Sequence, residues 1–169
     1  MAPSVRSVPA LGSGVARMGF PLLFHRLLEG PGLAGFRLSD GVRTLAGREF
    51  RDQALRVAAG LARAGLGCGE RLCIRLPNRV EVALAAFGAS RAGAVFSILG
   101  PRLKVPELAY ILADCGAAAL VCQADDLDDL AATRAAPGLR RMILLDRPRD
   151  TYLPDSALAW EALLEGPGD

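Results

Sequence analysis

Lysine is almost absent from this chain: of 20 basic residues, only Lys104 is a lysine. That scarcity removes the phosphate loop GxxxxGK[ST], because Lys104 is not preceded by the glycines that would cradle a phosphate. Histidine is scarcer still. His25 stands in the apolar stretch FPLLFHRLLE, with no second histidine for a metal site and no GxSxG nucleophile elbow to serve. Aromatic residues make up 5% and the net charge is only +2, so the basic stripe of a nucleic-acid binder is missing. No apolar run approaches the ~18–20 residues that a membrane span needs. The four cysteines, Cys68, Cys73, Cys115 and Cys122, lie near apolar segments without CxxC spacing. With no secretory signal, they read as buried, reduced thiols in a cytoplasmic protein.

What is present is a core. The 169 residues are 51% hydrophobic with a mean hydropathy of +0.29, which rules out a disordered chain and suits one domain. That fraction is high for a free-standing domain and hints at surface meant to be covered. Residues 1–19 carry Arg6 and Arg17, no acid, and several Ser, Gly and Pro. They are expected to form a flexible N-terminal tail, with an α/β subdomain over 20–169.

The organising stretch is Leu72 to Ala94, LCIRLPNRVEVALAAFGASRAGA. A short apolar run stops at Pro77, and Asn78 with Glu81 three residues later has the spacing of a capping box. The helix that follows is apolar or small nearly all round, which suits a place between two layers. Before it, a short helix is expected over 21–29, then two strands around Asp40-Gly41, a pairing that suggests a type I′ hairpin turn. Phe50, Ala54, Val57, Ala58 and Leu61 recur at helical steps and predict a helix over 47–64. Strands are expected at 72–76, 94–99, 117–122 and 142–145. Helices are expected at 79–92, 106–115, 125–134 and, as a last helix or turn, 157–164. A hairpin followed by alternating helices and strands specifies an α/β fold: a mostly parallel sheet flanked by helices, joined by right-handed crossovers.

Two short motifs invite chemistry and fail on context. Gly30-Pro31-Gly32-Leu33-Ala34-Gly35 matches GxGxxG by letter, but it follows a helix and leads into a strand, so it reads as a linker. Asp125-Asp126-Leu127-Asp128-Asp129 contains DDxxD at a helix start, where carboxylates favour the positive end of the helix dipole without any metal. A generic nucleotide site at the strand ends, such as Ser97 to Gly100, is a weaker reading. No residue is assigned as catalytic, cofactor-binding or metal-ligating.

Between about Ala46 and Asp125 the chain resembles the N-terminal region of the AMP-dependent synthetase and ligase superfamily, the adenylate-forming acyl-CoA synthetases. The residues that carry this are Gly69-Glu70-Arg71-Leu72, Leu76-Pro77-Asn78, Arg91-Ala92-Gly93-Ala94, Pro101-Arg102-Leu103 and Glu107-Leu108-Ala109-Tyr110-Ile111-Leu112, in family order and spacing. Gly100 stands where the family usually has Asn, Lys104-Val105 replaces Thr-Pro, and Ala46 occupies a capping Thr position. The resemblance implies a ligase that joins a carboxylic acid to ATP as an acyl-adenylate and then forms a coenzyme A thioester, with ATP, coenzyme A and magnesium as the full-length enzyme's cofactors.

It also implies that the Ser/Thr/Gly-rich nucleotide loop with its lysine, the ribose-binding Asp and the C-terminal catalytic lysine lie beyond the equivalent of Asp169. The expectation is therefore an incomplete subdomain, truncated before the nucleotide-binding motifs, that binds none of these cofactors alone and is not catalytically competent by itself. Its expected partner is the missing C-terminal portion or a complementary chain, with homo-oligomerisation left open and neither nucleic acid nor a membrane span involved. A stand-alone binding or interaction module with the same fold is the alternative.

Overall fold

The computed structural model describes residues 27–125, 136–146 and 155–168. Residues 1–19, His25, most of the helix expected over 21–29, and the 125–134 helix with Asp126, Asp128 and Asp129 lie outside the described residues. Leu27, Leu28 and Glu29 are helical, and a 3-10 turn over Pro31–Gly35 leads into the first strand. The GxGxxG letters thus precede a strand and open no long helix.

Strand β1 (Arg37–Ser39) pairs antiparallel with β2 (Thr44–Ala46), Ser39 opposite Thr44. The turn is not type I′, because Gly41 has a positive φ (89°) and Asp40 does not. Four residues close the hairpin instead. Asp40 Oδ1 accepts from the Val42 and Arg43 N–H groups at 3.0 and 2.8 Å, so at Asp40 a side chain helps set the turn in place of the positive φ that type I′ requires there.

Helix α1 (Gly47–Arg63) follows, then β3 (Arg71–Arg75), α2 (Val80–Arg91), β4 (Val95–Leu99), α3 (Val105–Asp114), β5 (Ala117–Gln123) and β6 (Arg141–Leu145). The chain continues with β7 (Ala157–Ala159) and α4 (Trp160–Leu163). The five-stranded sheet has the order β4-β3-β5-β6-β7, every pair parallel. β7 corrects the helix expected to begin at Ala157. Ala-Leu-Ala is too short to show a period of two, and its alanines favour helix, but its main chain pairs with β6 (Ile143 opposite Leu158).

Parallel strands are covered on both faces, and β3 shows how the sequence does it. Leu72 and Ile74 face one core cluster with Val57, Leu61, Leu84 and Trp160, under α1, α2 and α4. Cys73 faces the other with Leu108, Leu112, Leu120 and Leu144, under α3. Helix α2 lies between the sheet and α1. A Cβ on Gly88 would come within 2.5 Å of Val57 Cγ1, so only glycine allows this approach of the two helices.

Candidate functional site

Parallel sheets hold ligands beyond the carboxyl ends of their strands, where the strand order reverses. Here the chain enters at β3, crosses to β4 at the end of the sheet, and returns to β5 on the other side, so the reversal lies between β3 and β5. Ser97 to Gly100 lies at the carboxyl end of β4, the strand at one end of the sheet, away from that switch point.

Past β3 the chain turns through Leu76, Pro77 and Asn78 into α2, whose first turn gathers charge. Asn78 does not cap the helix: the N-cap is Arg79, which makes no side-chain cap, and Glu81 does not reach back. Asp40 of the hairpin supplies the cap, its Oδ2 accepting from the Val80 N–H at 3.1 Å. Three backbone N–H groups, from Arg43, Val42 and Val80, hold the Asp40 carboxyl down to about 2.

Glu81 is only 5% exposed and accepts from Arg43 Nη1 at 3.1 Å and Arg79 Nε at 3.2 Å. Arg79 also pairs with Asp146, the one non-glycine described residue with a positive φ (57°). The hydrogen bond to Asp146, with Glu81 beside it, raises the Arg79 guanidinium further above its ordinary value. Arg43 Nη2 donates to Gln53 Oε1 at 2.7 Å, and Gln53 Nε2 to Glu49 at 3.1 Å. The row from Glu49 to Asp146 is thus a chain of charged side chains, bridged at Gln53 by an amide, that ties the hairpin, α1, the start of α2 and the end of β6 together. Each of its carboxylates is engaged, Glu49 by Gln53, Glu81 by Arg43 and Arg79, and Asp146 by Arg79.

Beside this row a groove of about 360 Å³ opens between the hairpin, α2 and β4, lined mainly by Leu38, Val82, Ala83, Phe87, Phe96 and Ile98. Its walls are mostly apolar, with Ser39, Asp40, Asn78 and Arg79 as the polar part of the lining. A second hollow of about 260 Å³ lies against Leu33, Phe36, Phe50 and Phe87. Such walls suit an apolar occupant rather than a triphosphate. Lys104 sits exposed at the N-cap of α3, its N–H bonded to Glu107 Oε2 at 3.0 Å. Among the described residues no group of three or more His, Cys, Asp or Glu could hold a metal ion. The donors here therefore fit neither a triphosphate nor its magnesium.

The motif residues found by sequence have structural work. Glu70 Oε2 accepts from the Gly67 N–H and its Oε1 from Arg140, both at 2.6 Å, which lowers its carboxyl below the usual range. Arg71 donates to the Cys115 and Gly116 carbonyls at 2.8 and 2.7 Å, closing the C-terminus of α3. Leu108 and Leu112 are core, while Tyr110 is exposed. Asp40 and Arg43 were missed as partners of α2. The Asp-Gly turn was visible, but nothing local points to a helix forty residues on.

The family model described as "AMP-binding enzyme" matches residues 32–163. The chain belongs to the AMP-binding enzyme family. Among relatives of known sequence, a feruloyl-CoA synthase of an Amycolatopsis species is 37% identical over 59% of this chain and 20% of its own length. A Mycobacterium tuberculosis relative, "Uncharacterized protein Rv1549", is 28% identical over 61% of this chain and 59% of its own. Among solved structures, the anthranilate CoA ligase AuaEII in complex with anthranoyl-AMP is 25% identical, with a TM-score of 0.72. That match covers 85% of this chain and 28% of the ligase. The chain thus spans about a fifth of the feruloyl-CoA synthase. Its parallel sheet and small hairpin are those of the N-terminal domain of such ligases. Among the described residues no helix is long and apolar enough to cross a membrane.

Proposed function

We propose that this chain is the N-terminal part of an AMP-forming acid–thiol ligase, which activates a carboxylic acid with ATP as an acyl-adenylate and transfers the acyl group to coenzyme A. It acts in the cytoplasm together with a complementary portion of the enzyme, and it is not catalytically competent alone. The observation that carries this reading is the family match over 32–163, together with a feruloyl-CoA synthase relative of which the aligned segment covers only 20%. The apolar groove beside α2 supports it, because an apolar surface rimmed by charge suits a covering protein. The test is ATP–pyrophosphate exchange across a panel of aromatic and aliphatic acids. The chain alone should give none, and the chain fused to the portion of a feruloyl-CoA synthase-type ligase that follows its equivalent region should give acid-dependent exchange. A soluble fusion with no exchange on any acid would sink the ligase reading.

The second reading is a stand-alone interaction module. It is favoured by the Mycobacterium tuberculosis relative, of which this chain covers 59%. An isolated chain that stays folded and monomeric, and that the ligase remainder neither binds nor activates, would favour it.

A further inference from the structure

Burial sorts the four thiols. Cys68 is exposed in the turn before β3, Cys73 and Cys122 are buried in strands, and Cys115 is half-buried. The expectation of buried thiols therefore fails at Cys68. It also misses an encounter: Cys73 Sγ on β3 and Cys115 Sγ at the end of α3 lie 3.8 Å apart, though 42 residues separate them in the chain.

Both sit in one apolar cluster with Leu108, Leu112 and Leu120. Cys115 is the C-cap of α3, held from outside by Arg71 on its carbonyl and followed by Gly116, whose φ is +61°. A disulfide needs sulfurs about 2.05 Å apart, so closure asks for a shift of under ~2 Å, within reach of a side-chain rotation at a helix end. Cys73 is buried, whereas Cys115 is only half-buried, so Cys115 is the thiol a reagent reaches first.

We propose that Cys73 and Cys115 are an oxidisable dithiol, a covalent modification site that closes to a disulfide clamping α3 to β3 on exposure to a low-molecular-weight disulfide. The Cys115 thiolate attacks one sulfur of the small disulfide and expels the other half as a thiolate. Cys73 then gives its proton to that thiolate and attacks Cys115 Sγ, displacing the second half, which takes up the Cys115 proton from solvent. Two protein thiols and one small disulfide become one protein disulfide and two small thiols, so two electrons leave the pair. Burial pushes the Cys73 thiol up to about 12, with Cys115 adding to it. The second step is therefore the slow one, and contact between the sulfurs is what makes it feasible. The site rests on the fold alone and stands or falls independently of the ligase reading.

The test uses the full chain carrying Cys68→Ser, which removes the exposed thiol and leaves three. After equilibration with excess oxidised glutathione, denaturation and alkylation, the thiol count should fall from three to one, and peptide mapping should give a Cys73–Cys115 cross-link. The oxidised form should melt at a higher temperature than the reduced form. Adding Cys73→Ser should instead trap one glutathione on Cys115. Three thiols remaining, a stable glutathione adduct on Cys115 with Cys73 still free, or a cross-link through Cys122 would each overturn the proposal.

Discussion

A single carboxylate joins two parts of the chain that sequence distance keeps apart. Asp40 closes its own turn through Val42 and Arg43 and caps α2 through Val80. Asp40→Ala should lower the thermal midpoint at pH 7. Because the folded carboxyl sits at about 2, below its ordinary 3.8, its stabilisation is fully present above the ordinary value. It is lost as pH falls through about 2, where the carboxylate takes up a proton and can no longer accept all three bonds. Melting curves followed by circular dichroism at pH 7, 4 and 2 should therefore separate the two proteins at neutral pH and bring them together at the acid end. A constant gap would show that Asp40 acts by packing. Asn78 and Glu81 had the spacing of a local cap, yet the acceptor came from a hairpin, and Glu81 was drawn to Arg43 and Arg79 instead. Capping rules span three residues, so a partner forty residues away is invisible to them.

Element order and spacing were legible because hydrophobic periodicity is local, and β3, α2 and α3 fall within a residue or so of expectation. What periodicity does not carry is which helix meets which, or a strand of three residues such as β7. The contact between α1 and α2 is a case in point. Gly88 looked like a break in an Ala-rich run, whereas it is the notch that receives Val57. Alanine is a better helix former than glycine by ~1 kcal/mol, but overpacking a filled contact costs about 1–3 kcal/mol. Since the intruding Cβ would also lie 3.2 Å from the Ala58 backbone nitrogen, packing should win, and Gly88→Ala should destabilise by up to about 2 kcal/mol in urea denaturation. Gly100→Ala is the contrast. Its Cβ would meet only Leu103 Cγ, at 4.0 Å, so its effect should stay within about 0.5 kcal/mol. Equal effects at both sites would remove the notch argument. The same element logic applies to the hairpin. Glu81→Gln leaves two guanidinium groups facing a neutral amide at a site 5% exposed, and should cost about 1–3 kcal/mol by the same measurement.

At the scale of the molecule, the high hydrophobic fraction finds its place in the groove and in β4. Strand β4 ends the five-stranded sheet and carries no charge from Val95 to Leu99, although charge is a common guard for a strand in that position. Val95 and Ile98 are 53% and 58% exposed, and Ile98 reaches the groove beside Val82, Phe87 and Phe96. If the rest of a ligase covers this face, Ile98 goes from half-exposed to buried on association. Full burial of such a side chain contributes ~1.5–3 kcal/mol, roughly half of which remains to be gained here, and each 1.4 kcal/mol is tenfold in affinity. Ile98→Asp removes that gain and would bury an unpaired carboxylate, so association with a separately expressed remainder should weaken by at least about tenfold. In the isolated chain Ile98 is already more than half exposed, and its replacement should shift the urea midpoint little, by about 0.5 kcal/mol or less. The pair of measurements separates two roles that one would confuse. Lost exchange activity with an unchanged urea midpoint identifies a docking face, lost activity with a lowered midpoint identifies a core position, and full activity on titrating in the remainder places the contact elsewhere on the molecule.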